Sequence, residues 1–294
     1  MIIAAFVFWI SVLGIVHSYL FFPAVLRILS KGKRQNAIVH QYEDDLPAIS
    51  IILAVYNEEV VIEEKLRTTF KTNYPLDKIE FLIGSDASTD NTNAIIAQWQ
   101  QQYPQIKFTP FLGRTGKAAI VNQLTEIAIH PIFILTDANV FFEEDTIYHL
   151  VKHFKHQEIA QVGANIQNPL YKAEGISYQE KSYLSRENLI KYQEGVIWGS
   201  MIGAFGGCYA IRASHFAPVP ATFLMEDFYI SMQALAQGGK SINELQAICY
   251  EDVSNKITEE FRRKVRISAG NFQNLNHFKS LLFKFNKFCW QLSQ

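Results

Sequence analysis

Short apolar segments alternate with amphipathic segments between residues 49 and 153, and this alternation limits the folds open to the chain. The apolar segments are predicted strands: Ile49–Val55, Ile79–Ser85, Ile106–Pro110 and Ile132–Thr136. The segments that follow them have helical spacing: residues 58–71, 90–102, 115–128 and 143–153. A helix between two strands of one sheet makes a right-handed crossover, so consecutive strands run parallel. The pattern predicts an α/β fold with an open, mostly parallel twisted sheet flanked by helices.

The N-terminal segment is apolar over a longer stretch than a core helix usually is. Residues 2–26 contain no charged side chain. As a helix they would span about 37 Å, which is enough to cross a hydrocarbon core of about 30 Å. No basic residue precedes the segment and no small-residue cleavage motif follows it, which argues against a secretory signal. We therefore predict one transmembrane helix, with a buried core helix as the alternative.

A basic cluster follows the apolar segment directly: Arg27, Lys31, Lys33 and Arg34. The positive-inside rule predicts that the rest of the chain lies in the cytosol, at the plasma (inner) membrane. Three cysteines, Cys208, Cys249 and Cys289, are odd in number and far apart, which is typical of reduced, buried thiols in that compartment. The net charge of −1, from 27 basic and 28 acidic residues, indicates no nucleic-acid partner.

Polar clusters follow three of the four predicted strands, at the sheet edge where open α/β folds bind ligands. They are Tyr56-Asn57-Glu58, Asp86 with Ser88 and Asp90, and Asp137-Ala138-Asn139. A carboxylate in such a place is often only a helix cap, and this is our interpretation of Asp90. Asp86 and Asp137 are stronger site candidates. Asp137 interrupts the apolar run FILTDANVFF, and a buried carboxylate needs a compensating charge.

The segment GRTGKAA, residues 113–119, is similar to a phosphate-binding loop but does not match the full pattern. Phe111 stands where the first glycine is required, and Ala118 replaces the hydroxyl residue that would bind magnesium. The segment is then a turn that brings Lys117 to a helix start near the same edge, where it either binds a ligand or is only solvated. Asp137 with a nearby amide suits Mg²⁺ or Mn²⁺ bridged to phosphates, and no His or Cys cluster has zinc spacing.

Seven segments occur in an order that resembles a known family. They are ISIILAVYNEE, IGSDASTDNT, GRTGKAAIVNQ, LTDANVFF, GGCYAIRA, MEDFYIS and RRKVRISAGNFQ, within residues 49–273. Each segment is weak evidence alone, but together they resemble the motifs of the inverting glycosyltransferases of family 2, which have the GT-A fold. The resemblance implies a nucleotide-diphosphate sugar donor, usually a UDP-sugar, and a divalent cation, Mg²⁺ or Mn²⁺.

The resemblance also implies roles for individual residues. Donor-binding roles fall on Tyr56, Glu58, Asp86, Lys117, Asp137 and Arg266. Tyr56 would border the nucleobase, Asp86 would accept a hydrogen bond from its edge, and Lys117 or Arg266 would neutralise the leaving diphosphate. The Asp-x-Asp metal motif falls on Asp137 and Asn139. Asn139 replaces its second carboxylate, so the charge of the site and its affinity for a metal are expected to be lower, with a divalent cation still expected.

The resemblance places the general base at Asp227, at the start of a predicted helix whose dipole would keep the carboxylate ionised. Glu226, Gly206 and Gly207 would line the pocket for the sugar and the acceptor. The glycine-rich segment is alternatively only a strand and a tight turn. Arg263 and Ile267 stand where processive synthases have Gln and Trp, which argues against inferring polymer synthesis.

Four regions are expected along the chain. They are a transmembrane anchor at residues 1–27, a polar linker at 28–47, the GT-A catalytic domain at 48–258 and a basic amphipathic helical segment at 259–294. The last region is expected to lie on anionic lipid. Relatives commonly continue into further membrane helices, so the chain is expected to be either truncated before them or naturally short.

The expected function is the transfer of a sugar to a lipid or glycan acceptor at the cytosolic membrane face. Two alternatives stay open. A non-catalytic nucleotide-sugar-binding membrane subunit would explain Asn139 as a loss of activity. A sugar nucleotidyltransferase would need a glycine-rich loop after the first strand, where this chain has AVYNEE.

Overall fold

The computed structural model describes residues 2–168, 176–251 and 257–283, with side chains described for 2–168, 184–251 and 261–281. The strands are β1 (Ile49–Val55), β2 (Ile79–Ser85), β3 (Ile106–Pro110), β4 (Ile132–Thr136), β5 (Val140–Phe142), β6 (Ile159–Gln167), β7 (Cys208–Arg212) and β8 (Lys240–Glu251). The helices are α1 (Ile2–Val16), α2 (Phe22–Ser30), α3 (Ile62–Phe70), α4 (Thr92–Gln102), α5 (Lys117–Ile127), α6 (Thr146–Val151), α7 (Ile176–Trp198), α8 (Glu226–Ala236), α9 (Ile257–His277) and α10 (Lys279–Phe283). The predicted thiol of Cys289 lies outside the described residues.

One half of the sheet is parallel and brings three strand ends together. The strand order is β3-β2-β1-β4-β7-β6-β8-β5. β1 pairs in parallel with β2 on one side and β4 on the other, with Ile49 opposite Ile79 and Ile132. Every residue of β2 and β4 is buried, as expected for strands covered by helices on both faces. The carboxyl ends of β1, β2 and β4 therefore meet at one edge.

The other half of the sheet contains the antiparallel pairs. β7 runs antiparallel to β4 and to β6, and β5 runs antiparallel to β8, while β6 and β8 are parallel. The predicted α/β class and its flanking helices are confirmed, with a sheet that is mixed. β5 was not predicted, because it has three residues and its partner strand lies about a hundred residues further along the chain.

The sheet's two faces carry separate apolar layers, because side chains alternate along each strand. Ile51 and Leu53 of β1 face one layer, which α3 joins through Ile62 and Leu66. Ile52 faces the other layer, which α5 joins through Ile120 and Leu124. This packing fixes the start of α5 beside the end of β4.

The N-terminal segment forms one long apolar helix, Ile2–Ser30, in which a π-helical turn joins α1 to α2. Among the described residues, it is the one helix long and apolar enough to cross a membrane, which fits membrane anchoring. Most of its side chains are exposed, but Leu26 is fully buried where α2 packs on α7. The guanidinium of Arg186, on α7, also lies 5.4 Å from the ring centroid of Tyr19.

If the Ile2–Ser30 helix is the anchor, two central charges should release the protein from membranes. We expect the wild type to stay in the membrane pellet after alkaline carbonate washing. The double variant Leu13→Arg/Val16→Arg should appear in the supernatant or fail to insert, because each arginine costs about 2.5–3.5 kcal/mol near the bilayer centre. Val60→Arg/Ile129→Arg adds the same charge at exposed positions of the body and should stay in the pellet. Equal retention of both double variants would contradict the anchor.

Candidate active site

The predicted site residues converge at the edge formed by the ends of β1, β2 and β4. Tyr56 follows β1, Asp86 follows β2 and Asp137 follows β4. The N-terminal ends of α5 and α8 reach the same edge and add Lys117 and Glu226. These five residues come from separate parts of the sequence, and the parallel register of β1 with its two neighbours is what aligns their strand ends.

Lys117 links two of the predicted carboxylates. Its ammonium nitrogen lies 2.7 Å from Oδ1 of Asp137 and 2.6 Å from Oε1 of Glu226. Desolvation of the ammonium group lowers its pKa, but the charges of Asp137 and Glu226 outweigh this effect and raise the pKa above its usual range. Glu226 responds in the opposite direction. Burial opposes its ionisation, yet Lys117 holds the pKa of this carboxyl below its ordinary value.

Asp227 lies beside this ion-pair network, in the first turn of α8. Its Oδ1 accepts a hydrogen bond from the backbone N–H of Phe228 at 2.8 Å. Burial and the neighbouring charge of Glu226 raise the pKa of Asp227 to about 6. α8 begins at Glu226, as predicted. The helix dipole was expected to keep Asp227 ionised; with this pKa the carboxylate is still mostly ionised at neutral pH, although burial and the like charge of Glu226 make it more basic than an ordinary aspartate. A carboxylate with this pKa can accept a proton near neutral pH.

Gly206 lies against the Asp227 carboxylate, and Gly207 packs against apolar side chains beside it. A Cβ atom on Gly206 would overlap the Asp227 carboxylate, and one on Gly207 would lie 3.0 Å from Cγ2 of Val140. Only glycine at position 206 lets the backbone approach Asp227 this closely. The glycine-rich segment thus lines the site, ending in the strand β7.

Two cavities open from the ion-pair network and share part of their walls. One, of about 260 Å³, is lined by Tyr56, Glu58, Asp86, Arg114 and neighbouring residues. The other, of about 500 Å³, lies between α7 and α9 and is lined by Gly206, Glu226, Asp227, Arg266 and residues of both helices. Lys117, Asp137 and Asn139 line both cavities. A molecule in the first cavity and a molecule in the second would therefore meet at these three residues.

Arg266 reaches the larger cavity from α9. Its Nη1 donates a hydrogen bond to the carbonyl of Leu224 at 3.2 Å, just before the start of α8. Its positive charge also contributes to lowering the pKa of Glu226. Arg266 thus lines the same cavity as Lys117. Among the described residues, no ion pair joins Arg266 to Asp137 or Glu226.

Arg114 was not singled out from the sequence, although it lies in the GRTGK segment. Its guanidinium carbon lies 3.3 Å from the ring centroid of Tyr56, and its Nε donates to Oδ2 of Asp86 at 3.0 Å. Asp86 also accepts hydrogen bonds from the backbone N–H groups of Thr115 and Gly116. The two residues predicted to bind a nucleobase are therefore both in contact with Arg114.

Lys65 was also missed, because a lysine in an amphipathic helix looks like a surface residue. Its side chain is fully buried under the end of β4. Its Nζ donates to Oγ1 of Thr136 at 2.8 Å and to the carbonyl of Val140 at 2.6 Å. Burial lowers its pKa to about 8. Lys65 thus holds both ends of the turn that carries Asp137 and Asn139.

The predicted metal-binding residues, Asp137 and Asn139, lie near the carboxylate of Glu58 in the wall of the smaller cavity. Among the described residues, no three His, Cys, Asp or Glu side chains are grouped closely enough to hold a metal ion by themselves. Burial and the charge of Asp137 raise the pKa of Glu58, which shows two carboxylates repelling each other across the smaller cavity. Mg²⁺ and Mn²⁺ prefer oxygen donors, which Asp137 and Asn139 offer, although Lys117 already compensates the charge of Asp137. The residues fit a cation whose other ligands come from a bound molecule.

The chain matches a known family of enzymes over more than half of its length. Residues 50–216 match the family described as Glycosyl transferase family 2, and the chain belongs to that family. The resemblance drawn from the seven motifs is confirmed.

The similar proteins include synthases of a bacterial polysaccharide. The chain is 26% identical over 275 residues to the poly-β-1,6-N-acetyl-D-glucosamine synthase of Staphylococcus aureus (strain COL). It is 24% identical over 275 residues to the protein of the same name from Staphylococcus epidermidis. Each match covers 91% of this chain and 64% of the other protein, so the chain spans less than two thirds of the length of these relatives.

Solved structures share the fold. The mannosyltransferase PcManGT from Pyrobaculum calidifontis, in complex with GDP-Man and Mn²⁺, superposes with a TM-score of 0.73 at 20% identity, over 93% of this chain and 75% of that one. Residues 1–349 of S. aureus TarS, in complex with UDP-GlcNAc, superpose with a TM-score of 0.55 at 14% identity, over 71% and 59% of the two chains. These similarities confirm the predicted GT-A fold.

The raised pKa of Asp227 predicts how stability depends on pH. The folded protein keeps this proton up to about pH 6, whereas an unfolded aspartate loses it near pH 4. The folded state binds more protons in this interval, so the free energy of unfolding falls as the pH rises from about 4 to about 6. Asp227→Asn removes this pH-dependent loss. We expect the free energy of unfolding of the variant to exceed that of the wild type by at most about 3 kcal/mol at pH 7.5, and by less at pH 4.

The measurement is the melting temperature of detergent-purified protein across pH 4–8. Glu244→Gln is a control of opposite sign. Burial opposes the ionisation of Glu244, but hydrogen bonds from His153 and the Gln246 backbone and the charge of Lys152 lower its pKa to about 2. That carboxylate stabilises the fold above about pH 4.5, so its amide variant should be destabilised at neutral pH. A pH-independent difference between Asp227→Asn and the wild type would contradict the prediction.

Proposed function

We propose that the protein transfers a sugar from a nucleotide-diphosphate donor to a lipid or glycan acceptor, with inversion at the anomeric carbon. The observation that carries this proposal is the pair of cavities that share Lys117, Asp137 and Asn139. A donor in the smaller cavity would present its diphosphate at these residues. An acceptor in the larger cavity would approach the same point from the side of Asp227. Sugar transfer needs this meeting of two substrates at a cationic group and a base.

The donor proposed is a UDP-sugar, with its base in the smaller cavity. The base would border the ring of Tyr56, which Arg114 already contacts. An N–H group of the base would donate to Asp86 and share that carboxylate with Arg114. Solved relatives are described in complex with GDP-Man or UDP-GlcNAc, and the similar synthases are named for an N-acetylglucosamine polymer. UDP-N-acetylglucosamine is therefore the first donor to test.

Asp227 is the proposed general base. As an acceptor hydroxyl attacks the anomeric carbon, the Asp227 carboxylate takes its proton, and the bond from that carbon to the diphosphate oxygen breaks. Its pKa of about 6 leaves most of it ionised at neutral pH and still basic enough to take the proton. Lys117 and Arg266 are proposed to stabilise the negative charge of the leaving diphosphate. A single displacement inverts the configuration, so an α-linked donor gives a β-linked product.

The residues that would hold a divalent cation are Asp137 and Asn139, with Glu58 nearby. A bound Mg²⁺ or Mn²⁺ would supply positive charge to the diphosphate oxygens. The Mn²⁺ in the solved mannosyltransferase complex supports this proposal. Asn139 offers an amide oxygen in place of a carboxylate, so we propose a weaker dependence on the metal than in a site with two aspartates.

The acceptor side is proposed to face the membrane. The basic residues after the anchor favour a cytosolic body, at the plasma (inner) membrane, by the positive-inside rule. α7, which lines the larger cavity, packs on the anchor helix through α2. α9 lines the opposite wall and exposes a stripe of apolar side chains: Phe261, Val265, Phe272 and Leu275. With Arg262 and Lys264 beside it, this stripe is suited to an anionic lipid surface.

The test is transfer by purified protein from a panel of nucleotide sugars, with and without Mn²⁺. We expect release of the nucleotide diphosphate together with a glycosylated acceptor. Asp227→Asn should lower kcat by at least about a hundredfold with donor Kd nearly unchanged, because a base acts only as the acceptor attacks. Asp77→Asn, an exposed aspartate remote from both cavities, is the control. Binding without turnover would indicate a non-catalytic subunit, and release of pyrophosphate from a sugar phosphate and a nucleoside triphosphate would indicate a nucleotidyltransferase.

Asp137→Ala should abolish transfer and the Mn²⁺-dependent part of nucleotide binding, since it removes the strongest proposed metal ligand. Isothermal calorimetry of UDP, with and without Mn²⁺, measures this directly. Asn139→Asp adds a carboxylate and is expected to tighten Mn²⁺ binding, while Asp77→Ala should bind as the wild type does. Metal-dependent affinity that is unchanged in Asp137→Ala would reduce Asp137 to a structural role.

A further inference from the structure

The segment between α7 and β7, residues 199–207, forms a loop that passes the Asp227 carboxylate; we refer to it as the glycine loop. Two of its members, Gly199 and Gly203, have positive φ values, 65° and 70°. A Cβ atom on Gly203 would lie 2.7 Å from the ring of Phe228, the residue after Asp227. The loop therefore packs on the start of α8 at Gly203 and at Gly206. A shift of its backbone would change the surroundings of Asp227.

Lys191, on α7, holds this loop from one side. Its ammonium nitrogen donates to the carbonyl of Ile202 at 3.1 Å and to the carbonyl of Gly203 at 2.5 Å. The side chain is about 10% exposed, so both bonds are made largely out of water. Glu194, one helical turn further along, accepts a hydrogen bond from the N–H of Ile202 at 3.3 Å. α7 thus binds both the N–H and the carbonyl of Ile202, together with the carbonyl of Gly203.

Ser231, on α8, holds the loop from the other side. Its Oγ accepts a hydrogen bond from the N–H of Ala204 at 3.2 Å and donates to the carbonyl of Asp227 at 2.9 Å. Gln161 of β6 donates to the same hydroxyl oxygen at 2.8 Å. Ser231 is fully buried. The loop is therefore fixed between α7 and the helix that begins with Glu226 and Asp227.

The two attachments differ in strength. A hydrogen bond from a charged donor is stronger than one between neutral groups, and it is stronger still in a buried place. Removing the Lys191 ammonium would leave two buried carbonyls unsatisfied, whereas the loop's bond to Ser231 is one neutral contact. Lys191 is thus the stronger of these two attachments in the middle of the loop. The ends of the loop are held separately, by backbone hydrogen bonds of Gly199 and Met201 with Ser241 and of Gly207 with Asp137. Lys191 also lines the larger cavity, but it contacts neither Lys117 nor Asp137.

We propose that Lys191 is a positioning residue that holds the glycine loop against Asp227 and so fixes the base relative to the acceptor. The proposal rests on the proposed role of Asp227 as the general base. It assigns to α7 a task that the sequence did not indicate, because a lysine in a helix is usually a solvated residue. Its partners are backbone carbonyls eleven and twelve residues away, which leave no side-chain pattern.

The test compares Lys191→Met, which keeps the length and loses the donors, with Lys191→Arg, which can still donate to both carbonyls. Lys71→Met is the control, since it removes a lysine whose ion pair with Glu144 is exposed. We expect Lys191→Met to lower kcat about 10- to 100-fold with donor Kd within about twofold of the wild type, because small displacements of reacting groups have effects of this size. Lys191→Arg should recover most of the lost kcat, because it keeps a charged donor for the two carbonyls. If Lys191 only stabilised the helix, kcat would not depend on this donor.

A second measurement does not depend on the reaction. Hydrogen–deuterium exchange should become faster in peptides that cover residues 199–207 in Lys191→Met, and stay at the wild-type rate in Lys71→Met. Unchanged exchange in the loop would overturn the proposal. Faster exchange with kcat unchanged would also overturn it, because the loop would then be held by Lys191 without positioning the base. If the wild type transfers no sugar from any donor, the proposed function fails, and the exchange result alone decides whether Lys191 holds the loop.

If Lys191→Met does not fold, Lys191→Gln replaces it, because the glutamine amide can donate to one carbonyl. Loop exchange faster than in the wild type, with a fall in kcat, would support the proposal. Wild-type exchange and wild-type kcat in Lys191→Gln would overturn it.

Discussion

One ammonium group, that of Lys117, lies between carboxylates from two distant parts of the chain. Asp137 ends β4 and Glu226 begins α8, and both are within 2.7 Å of the same nitrogen. Without this cation, Glu58, Asp137, Glu226 and Asp227 would form a cluster of like charges. Two unit charges 4 Å apart interact by about 1 kcal/mol in water and about 4 kcal/mol near a protein surface. The ion pairs thus tie the start of α8, and with it Asp227, to the parallel half of the sheet.

The pKa of Glu226 is lowered and the pKa of Asp227 is raised, and both shifts follow from the same arrangement. Lys117 contacts Glu226 directly and keeps it ionised, and the resulting negative charge disfavours a second one at Asp227. Two adjacent carboxylates therefore differ in how readily they take a proton, although they occupy consecutive positions of one helix. This division suits a site in which one carboxylate stays a fixed charge and the other accepts a proton.

The parts of the fold that depend on local pattern could be predicted from the sequence. β1 to β4 have the predicted bounds. For β1, β2 and β4 the reason is that parallel strands covered on both faces are mostly apolar and end abruptly in polar residues, whereas the short edge strand β3 is mostly exposed. The convergence of Tyr56, Asp86 and Asp137 followed from strand direction alone. Arg114, Lys65 and Lys191 could not be found this way. Each is a cationic side chain whose partners are distant in sequence or are backbone carbonyls, and such contacts leave no sequence pattern. The like charge of Glu226 beside Asp227 is visible in the sequence, but the burial of Asp227 against the glycine loop, which also raises its pKa, is not encoded by any local pattern.

The burial of Leu26, on the N-terminal helix where α2 packs on α7, has a consequence for how the protein would search for an acceptor. A catalytic body on a flexible tether sweeps through a hemisphere of solution, and its active site faces the bilayer only part of the time. If the Ile2–Ser30 helix crosses the membrane, the docking of α2 on the helix that lines the larger cavity would set the height and tilt of that cavity. An acceptor held in the same membrane would then be found by lateral diffusion in two dimensions, with the orientation of the encounter already fixed.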